Sequence, residues 1–300
     1  MESIIKPVPY DYFTTRNLMY QLKDIFPFIN INTIGKSVIG KEILSFVFGK
    51  REQYVLIAAS FHGKEWITTP ISLLFAERLA YALANNKELS GINARRAFYD
   101  RGLILIPMVN PDGVDIAIKG ESACVKNGIK CKQLCNGEFT KWSANARGVD
   151  INHNFDAGWD ILHQMEQQEG IYAPSMSRYG GTHPESEPET VALVQLCKTI
   201  NIAHVMALHT QGEEIFWHYG NKTPEKSRRM ANILSASSGY CLSQPIGTAS
   251  HGGFKDWFIN TFAKPGFTVE IGKGESPLPI NQLYSLYQQI EEMLMLTLIM

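Results

Sequence analysis

Short runs rich in β-branched and aliphatic residues alternate along this chain with longer segments of helical periodicity. The predicted strands are Ile43–Phe48, Tyr54–Phe61, Leu103–Val109, Ala203–Leu208 and Phe267–Ile271. The predicted helices are Trp66–Leu83, Pro184–Thr199, Pro224–Ser237 and Pro279–Met300. Such alternation is typical of an α/β fold. We therefore expect a central mixed, mostly parallel β-sheet covered by helices on both faces.

The chain shows no linker that would divide it. Its 300 residues, 45% of them hydrophobic, can bury one large core. Residues 1–300 are therefore predicted to form a single domain. The segment from Gly113 to about Gly181 lacks clear periodicity and is too long for an ordinary connection. We expect this segment to carry functional residues.

The charge pattern excludes some classes of partner. The formal net charge is -1, from 28 basic and 29 acidic residues, and no basic run is long enough to follow a phosphate backbone. The first ten residues contain an early glutamate, two prolines and no apolar core of signal-peptide length. The apolar tail Met293–Met300 is too short to span a bilayer. We predict a cytoplasmic protein without nucleic-acid or membrane partners.

Three of the five cysteines lie close together in the chain. Cys124, Cys131 and Cys135 have a spacing that matches no zinc-binding pattern. Disulfides are rare in cytosolic proteins. These three residues are therefore predicted to be reduced thiols in a surface loop.

Ionisable residues follow three of the predicted strands. His62 and Glu65 come after one strand, His209 ends another and Glu270 terminates a third. In open α/β sheets, functional residues collect beyond the carboxyl ends of the strands. A hydrolytic zinc site uses three protein ligands drawn from His and Asp or Glu, which the first three residues can supply. Glu270 would then be free to take a proton from the attacking water.

The chain contains a second copy of the His-x-x-Glu spacing. His163-Gln-Met-Glu166 follows the turn-rich stretch N-F-D-A-G-W rather than a strand, so we assign it to a solvated helix. At the first copy, Gly63 allows a tight turn between His62 and Glu65. An isolated His-x-x-Glu is more often a pair of hydrogen-bonded structural residues than half of a metal site. A purely structural role therefore stays open for each of the candidate residues His62, Glu65, His209 and Glu270.

The chain resembles the zinc carboxypeptidases of the carboxypeptidase A type in six motifs, which occur here in the same order as in that family. They are His62-x-x-Glu65, N-P-D-G at 110–113, G-V-D-I-N-H-N-F at 148–155, S-E-P-E-T at 186–190, H-T-Q-G at 209–212 and Glu270. The resemblance implies a zinc peptidase catalytic domain that binds one Zn²⁺ through His62, Glu65 and His209. It also implies that Glu270 is the general base and that Asp150 orients a ligand histidine. Asp150 could instead be an ordinary turn residue.

The chain departs from that family at several substrate-binding positions. Where the carboxypeptidases have an asparagine-arginine pair for the substrate's terminal carboxylate, this chain has Asn152 and His153. Histidine lacks the planar donor fork of arginine, so recognition of a terminal carboxylate is expected to be weaker. At the position of the tyrosine that closes over substrate, only Thr248 or His251 is available.

The residue that would stabilise the oxyanion is not evident from the motifs. Arg147 is the nearest candidate in sequence, and Lys141 is a second. The resemblance therefore leaves this role open between the two.

Two further stretches resemble the γ-D-glutamyl-L-diamino-acid peptidases, which cut bacterial stem peptides between γ-D-glutamate and diaminopimelate. They are G-G-F-K-D-W-F at 252–258 and V-E-I-G-K-G-E-S-P-L-P at 269–279, and H-T-Q-G-E at 209–213 fits the same subgroup. By this resemblance Lys255 lies in the pocket that selects the substrate side chain. There it would favour an acidic group, whereas the alternative is an ordinary surface lysine.

The resulting hypothesis is a zinc-dependent peptidase for the γ-D-glutamyl–meso-diaminopimelate bond. A general metallocarboxypeptidase is the first alternative, and a non-catalytic muropeptide-binding protein is the second. The same ligands would also accept cobalt or manganese. The sequence does not indicate an oligomeric state.

Overall fold

The computed structural model describes residues 2–125 and 130–300. Its helices are α1 (Tyr12–Ile25), α2 (Thr68–Ala84), α3 (Ala94–Ala97), α4 (Pro111–Lys119), α5 (Glu121–Val125), α6 (Cys131–Cys135), α7 (Trp159–Gln168), α8 (Pro188–Thr199), α9 (Lys226–Ser238), α10 (Phe254–Phe262) and α11 (Leu283–Ile299). Its strands are β1 (Asn30–Lys36), β2 (Glu42–Phe48), β3 (Tyr54–Ala59), β4 (Glu88–Leu89), β5 (Ile92–Asn93), β6 (Gly102–Ile106), β7 (Ile202–His209), β8 (Glu214–Phe216), β9 (Cys241–Ser243) and β10 (Gly266–Glu270).

Within these residues, one eight-stranded sheet has the order β1-β2-β6-β3-β7-β10-β8-β9. Its central strands β6, β3, β7 and β10 run parallel to one another. Strands β1 and β2 pair antiparallel with their neighbours, and β8 pairs antiparallel with β10 but parallel with β9. Parallel strands buried on both faces read as continuous apolar runs. Strands β3 and β7 fit that rule, since nearly all of their residues are buried.

Helices cover both faces of this sheet. On one face α2 and α11 bury side chains such as Ile71 and Leu294 against Val55 and Val269. On the other face, α8 and α10 pack against the alternate side chains of the same strands, which point to that side of the sheet. The expected α/β fold with a mixed sheet between helical layers is confirmed. In the described part of the chain, no helix is long and apolar enough to cross a membrane.

The predicted elements are present, with ends that differ by a few residues. The five predicted strands correspond to β2, β3, β6, β7 and β10. Helix α8 begins at Pro188 rather than Pro184, and α11 follows a short 3-10 helix at Ile280–Gln282. Strands β8 and β9 were not predicted, because three residues are too few to show a periodicity.

The segment from Gly113 to Gly181 is less irregular than its sequence indicates. It contains most of α4, the two short helices α5 and α6, and α7. The N-P-D-G motif starts α4: Asn110 is its N-cap and accepts a hydrogen bond from the Gly113 amide at 2.8 Å, and Pro111 occupies the first turn. The N-P-D-G motif therefore starts a helix in a segment whose lack of periodicity predicted a loop.

The prediction of reduced cysteines in a surface loop was wrong for Cys124 and Cys131, and for Cys135 it was wrong about the surface but correct about the reduced thiol. Cys124 and Cys131 form a disulfide, with their α-carbons 6.1 Å apart, and Cys135 is a buried free thiol. Helices α5 and α6 lie side by side, and this brings two cysteines seven positions apart in sequence within bonding range. Their side chains belong to the hydrophobic core rather than to the surface.

A buried carboxyl group at the start of α8 predicts a pH-dependent stability. Burial raises the pKa of Glu189 from 4.5 to about 7, against the opposing hydrogen bonds from Val38 and Asn145. The folded chain therefore binds this proton more tightly than the unfolded chain, so stability is lost as pH rises from 4.5 to about 7. The glutamine in Glu189→Gln does not titrate, so the unfolding free energy of this variant should fall by roughly 3 kcal/mol less over this pH range than that of the unmodified protein.

Urea unfolding at pH 5 and pH 8 measures this effect. The surface variant Glu52→Gln is the control, because Glu52 is exposed in the turn before β3. An identical pH dependence of the unfolding free energy in Glu189→Gln and in the unmodified protein would contradict the assignment.

Candidate active site

Three adjacent parallel strands end at the same edge of the sheet and bring the predicted residues together. His62 follows β3, His209 is the last residue of β7, and Glu270 is the last residue of β10. The strand register pairs Glu270 with His209 and Ala59 with Leu208. The rule that functional residues lie beyond carboxyl strand ends is therefore followed in this sheet.

His62, Glu65 and His209 form a compact group. Nδ1 of His62 lies 2.9 Å from Oε1 of Glu65, and Nδ1 of His209 lies 3.0 Å from Oε2 of the same carboxylate. Candidate ligand atoms of the three residues lie within 4.8 Å of one another. Two imidazoles and one carboxylate are a donor set typical of catalytic zinc. The residues present therefore fit one zinc ion.

Asp150 fixes the orientation of His62. Its Oδ1 lies 3.0 Å from Nε2 of His62, so Nδ1 is left to face Glu65. The carboxylate also accepts hydrogen bonds from the backbone amides of Asn152 and Arg178. This is the arrangement by which a carboxylate sets the tautomer of a metal-binding histidine. Asp150 is also the N-cap of the 3-10 helix Ile151–His153. The alternative prediction of a turn residue therefore describes the backbone position of Asp150, while its side chain also holds His62.

His209 is held differently. Its ring stacks on Phe61 with the centroids 5.1 Å apart, and its Nε2 is buried without a hydrogen-bond partner among the described residues. Packing rather than a second carboxylate therefore orients this imidazole.

Burial and mutual charge interactions shift the pKa values of the group in opposite directions. Burial raises the pKa of Glu65, but the two histidines outweigh it and lower the pKa to about 2. Burial lowers the pKa of His62, but Glu65 and Asp150 raise it well above its ordinary value. Burial and the charge of Glu65 raise the pKa of Glu270 well above its ordinary value.

The sequence did not indicate Glu214, which lies beside Glu270. The two glutamates are directly opposite each other in the antiparallel pair of β8 and β10, so their side chains share a face of the sheet. Ser243 donates a hydrogen bond to Oε1 of Glu214 at 2.8 Å. Glu214 directly follows the H-T-Q-G-E stretch, and this position was the signal for it in the sequence. Strand β8, which places Glu214 opposite Glu270, was too short to predict.

Asn110 joins the loops around His62. Its side-chain amide donates to the carbonyl groups of Phe61, Ser143 and Ala144 at distances of 3.0–3.2 Å. The N-P-D-G motif thus fixes the chain on either side of the first metal-site histidine.

Gly63 has no room for a side chain. A Cβ atom there would lie 2.3 Å from the carbonyl oxygen of Gly113 and 2.7 Å from that of Trp142. Gly63→Ala should therefore displace His62 and destabilise the fold by at least about 1–3 kcal/mol. Thermal unfolding and zinc content after dialysis test this, and wild-type values for both would contradict it.

Several candidate substrate-binding residues meet around Tyr219. Asn152 accepts a hydrogen bond from the Phe254 amide at 3.0 Å, next to Lys255. The Lys255 ammonium lies 5.7 Å from the ring centroid of Tyr219, whose hydroxyl lies 3.1 Å from Nδ1 of His251. Tyr219 was missed by the sequence analysis, because no motif marks the stretch after β8.

Lys255 is not the surface lysine that the alternative reading expected. Its side chain is 3% exposed. The ammonium contacts the carboxylate of Asp256 and donates to the carbonyl of His218 at 3.0 Å. An ammonium has three donors, so within residues 2–125 and 130–300 these two hydrogen bonds leave one donor over.

The two oxyanion candidates lie at the surface. Arg147 is 54% exposed and its guanidinium is 3.5 Å from Glu187, whereas Lys141 pairs with Glu138 at 3.4 Å. Among the described residues, neither side chain is paired with the metal-site residues. Thr248 is buried in the 3-10 helix Gly247–Ser250.

The imidazole of His153 is held by Glu166 and the Arg178 backbone. Its Nδ1 is 3.0 Å from Oε1 of Glu166 and 3.1 Å from the carbonyl oxygen of Arg178. Burial lowers the pKa of His153, but the carboxylates of Asp150 and Glu166 outweigh it and raise the pKa. The second His-x-x-Glu copy does lie on a helix, α7, but Glu166 is fully buried, which corrects the prediction of a solvated pair.

The zinc carboxypeptidase family model matches residues 15–293. The chain belongs to the zinc carboxypeptidase family. The expectation of a zinc metallopeptidase, a hydrolase, is thereby confirmed.

Relatives with higher identity support a narrower comparison. The chain is 38% identical over 283 residues to γ-D-glutamyl-L-diamino acid endopeptidase 1 of Lysinibacillus sphaericus, covering 93% of this chain and 70% of that protein. It is 35% identical over 282 residues to the uncharacterised protein YqgT of Bacillus subtilis (strain 168), covering 93% and 74%. The predicted resemblance to the diamino-acid peptidases is confirmed as a similarity.

A solved structure shows the same fold. Bovine thrombin-activatable fibrinolysis inhibitor, in complex with tick carboxypeptidase inhibitor, aligns with a TM-score of 0.75 and 20% identity over 98% of this chain and 96% of that chain. At this identity the comparison supports the fold alone.

Proposed function

We propose that this zinc carboxypeptidase family member hydrolyses the γ-D-glutamyl–meso-diaminopimelate bond of bacterial peptidoglycan stem peptides. The observation that carries the proposal is the His62, Glu65 and His209 group beside Glu270, in a chain 38% identical to a γ-D-glutamyl-L-diamino acid endopeptidase. A protein that only binds muropeptides would not need a carboxylate poised beside a metal site, so the complete set favours an enzyme.

In this proposal His62, Glu65 and His209 hold the metal and Glu270 moves the proton. A bound zinc ion would polarise the scissile carbonyl and make water a stronger nucleophile. Glu270 removes a proton from that water and delivers it to the departing amine of the diamino acid. Asp150 keeps the His62 ring in place.

Arg147 is proposed to help stabilise the oxyanion of the tetrahedral intermediate. Its side chain is half exposed, and one ion pair at 3.5 Å leaves most guanidinium donors unused. Lys141 is the second candidate, with a single exposed ion pair. A cation aimed at a developing oxyanion is typically worth several kcal/mol in the transition state.

The pocket around Lys255 is proposed to select the diamino acid. Diaminopimelate carries a second carboxylate at the far end of its side chain, and the third donor of Lys255 would be available to it. Asn152, Thr248 and His251 are proposed to line the path to this pocket, together with Tyr219. The charge of Lys255 is partly balanced by Asp256, so the lysine offers a directed hydrogen bond more than a free charge.

The first experiment is hydrolysis of L-Ala-γ-D-Glu-meso-diaminopimelate by the zinc-loaded protein, with products identified by mass spectrometry. Release of free diaminopimelate that a chelator abolishes would support the proposal. Intact substrate with zinc bound would overturn it.

A general metallocarboxypeptidase is the alternative activity. Position 153 holds a histidine whose Nδ1 is occupied by Glu166, so an arginine clamp for a terminal carboxylate is lacking there. Free-ended and amidated ordinary peptides separate the two activities. Rapid cleavage of the free-ended peptides alone would favour the alternative.

The proposed role of Lys255 in substrate selection is tested by replacing both partners of its ion pair, Lys255 and Asp256, together. Lys255→Met alone would leave the buried Asp256 carboxylate without its ion-pair partner, which destabilises a fold by several kcal/mol. In Lys255→Met/Asp256→Asn, we expect the kcat/KM preference for diaminopimelate over lysine substrates to fall by about tenfold or more. Lys222→Met, an exposed lysine that contacts α10, is the control. An unchanged preference would exclude Lys255 from substrate selection.

A further inference from the structure

The second His-x-x-Glu copy ends in a fully buried carboxylate. Glu166 on α7 has no exposed surface. Its Oε1 lies 3.0 Å from Nδ1 of His153, and its Oε2 accepts a hydrogen bond from the Gly180 amide at 3.1 Å. Nδ1 of His163 lies 3.4 Å from Oε2, within ion-pair distance but without hydrogen-bond geometry. A buried carboxylate with such contacts is expensive to disturb.

These contacts continue to the metal site through His153, Arg178 and Asp150. Nδ1 of His153 also faces the carbonyl oxygen of Arg178 at 3.1 Å, while the amide of Arg178 donates to Oδ2 of Asp150 at 3.0 Å. Oδ1 of Asp150 in turn holds Nε2 of His62 at 3.0 Å. A continuous path therefore runs from Glu166 through His153 and the Arg178 backbone to Asp150 and His62.

This group is not a second metal site. Both oxygens of Glu166 are already engaged, by His153 and by Gly180. Within residues 2–125 and 130–300, His62, Glu65 and His209 are the group of three or more ligating residues close enough to share an ion.

We propose that Glu166 is a positioning residue of the metal centre. By holding His153 and Gly180, it fixes the backbone of Arg178, whose carbonyl oxygen faces His153 and whose amide keeps Asp150 against His62. The carboxylate of Asp150 can orient His62 only while its own second oxygen is anchored, and Arg178 supplies that anchor. This inference rests on the metal-binding part of the proposed function and not on its substrate.

Zinc affinity, measured by chelator competition, tests the inference independently of activity. A group that directly contacts a metal ligand typically changes metal affinity by about 10–100-fold when it is replaced. Asp150→Asn should fall in that range. Glu166→Gln, three contacts further out along the path through Arg178 and His153, should weaken zinc binding by roughly fivefold to tenfold.

A matched control is available at the C-cap of the same helix. Glu169→Gln makes the same chemical change one turn away, at a 40% exposed carboxylate that pairs with the Arg178 side chain. Exposed ion pairs contribute little, so its zinc affinity should be unchanged. A loss equal to that of Glu166→Gln would overturn the inference, since the effect would then not depend on the buried path.

A double-mutant cycle identifies the route. If Glu166 acts through Asp150, adding Glu166→Gln to Asp150→Asn should cost less than about twofold in zinc affinity. Fully additive losses would overturn the route through Asp150. Failure of the proposed substrate in the hydrolysis assay would leave this result unaffected, because zinc binding is measured without substrate.

A second variant covers the case in which Glu166→Gln does not fold. His153→Gln cuts the same path at its middle and keeps a polar side chain beside Glu166. The inference expects a comparable loss of zinc affinity, and wild-type affinity in a folded His153→Gln protein would overturn it.

Discussion

Replacing Glu270 with glutamine should lower kcat by about 10²–10⁴-fold while zinc stays bound, because an amide cannot take a proton from water. Glu270 ends β10 in register with His209, and it is not one of the three grouped metal-binding candidates. The side-chain shape is conserved in this substitution, so the neighbouring ligands keep their positions. Steady-state kinetics together with zinc content per chain measure both parts of the prediction.

Glu275→Gln is the control for this experiment. Glu275 is an exposed glutamate in the loop that follows β10, so the same chemical change there should leave kcat unaltered. Full activity in Glu270→Gln would remove the residue from the proton-transfer role. Loss of zinc in this variant would instead mean that Glu270 contributes to metal binding.

Replacing Glu65 with glutamine should abolish stable zinc binding and, with it, hydrolysis. The carboxylate faces both histidines of the group, at 2.9 Å and 3.0 Å. We expect the zinc affinity to fall by more than the about 10–100-fold that is typical of groups outside the ligand set. Chelator treatment of the unmodified protein should cause the same loss of activity, and added zinc should reverse it.

Metal analysis after dialysis and circular dichroism separate metal loss from unfolding. The exposed residue Glu52 provides the matched control, Glu52→Gln. Glu65→Gln protein that keeps one zinc per chain would exclude Glu65 from the ligand set. Removal of zinc without loss of hydrolysis would argue against metal-dependent catalysis in this chain.

The two His-x-x-Glu copies show how far a local pattern can be interpreted. His62 was favoured because a strand precedes it, and the structure places it at a strand end beside His209, 147 positions further along the chain. The second copy was correctly assigned to a helix but wrongly to solvent. Glu166 lies on the same face of α7 as the buried residues Trp159 and Leu162, and this face packs against the loop around Gly180.

The residues around Tyr219 were harder to predict than those of the metal group. The motifs pointed to Lys255, His251 and Asn152 separately, but they did not show that the first two contact the same tyrosine. Nor did they show that Asp256 balances the charge of Lys255. Neighbouring residues in a helix often diverge, so adjacency in sequence did not imply this ion pair.

The sequence by itself determined the α/β class, five central strands and the order of the candidate metal-binding residues, because apolar runs define buried strands and polar residues mark their ends. Only the tertiary structure decided that Glu214 faces Glu270, that Glu166 is buried and connected to Asp150, and that Cys124 pairs with Cys131. These contacts depend on strand register and on the packing of short segments. Neither leaves a periodic signal in the chain, since each contact joins residues that local sequence does not relate.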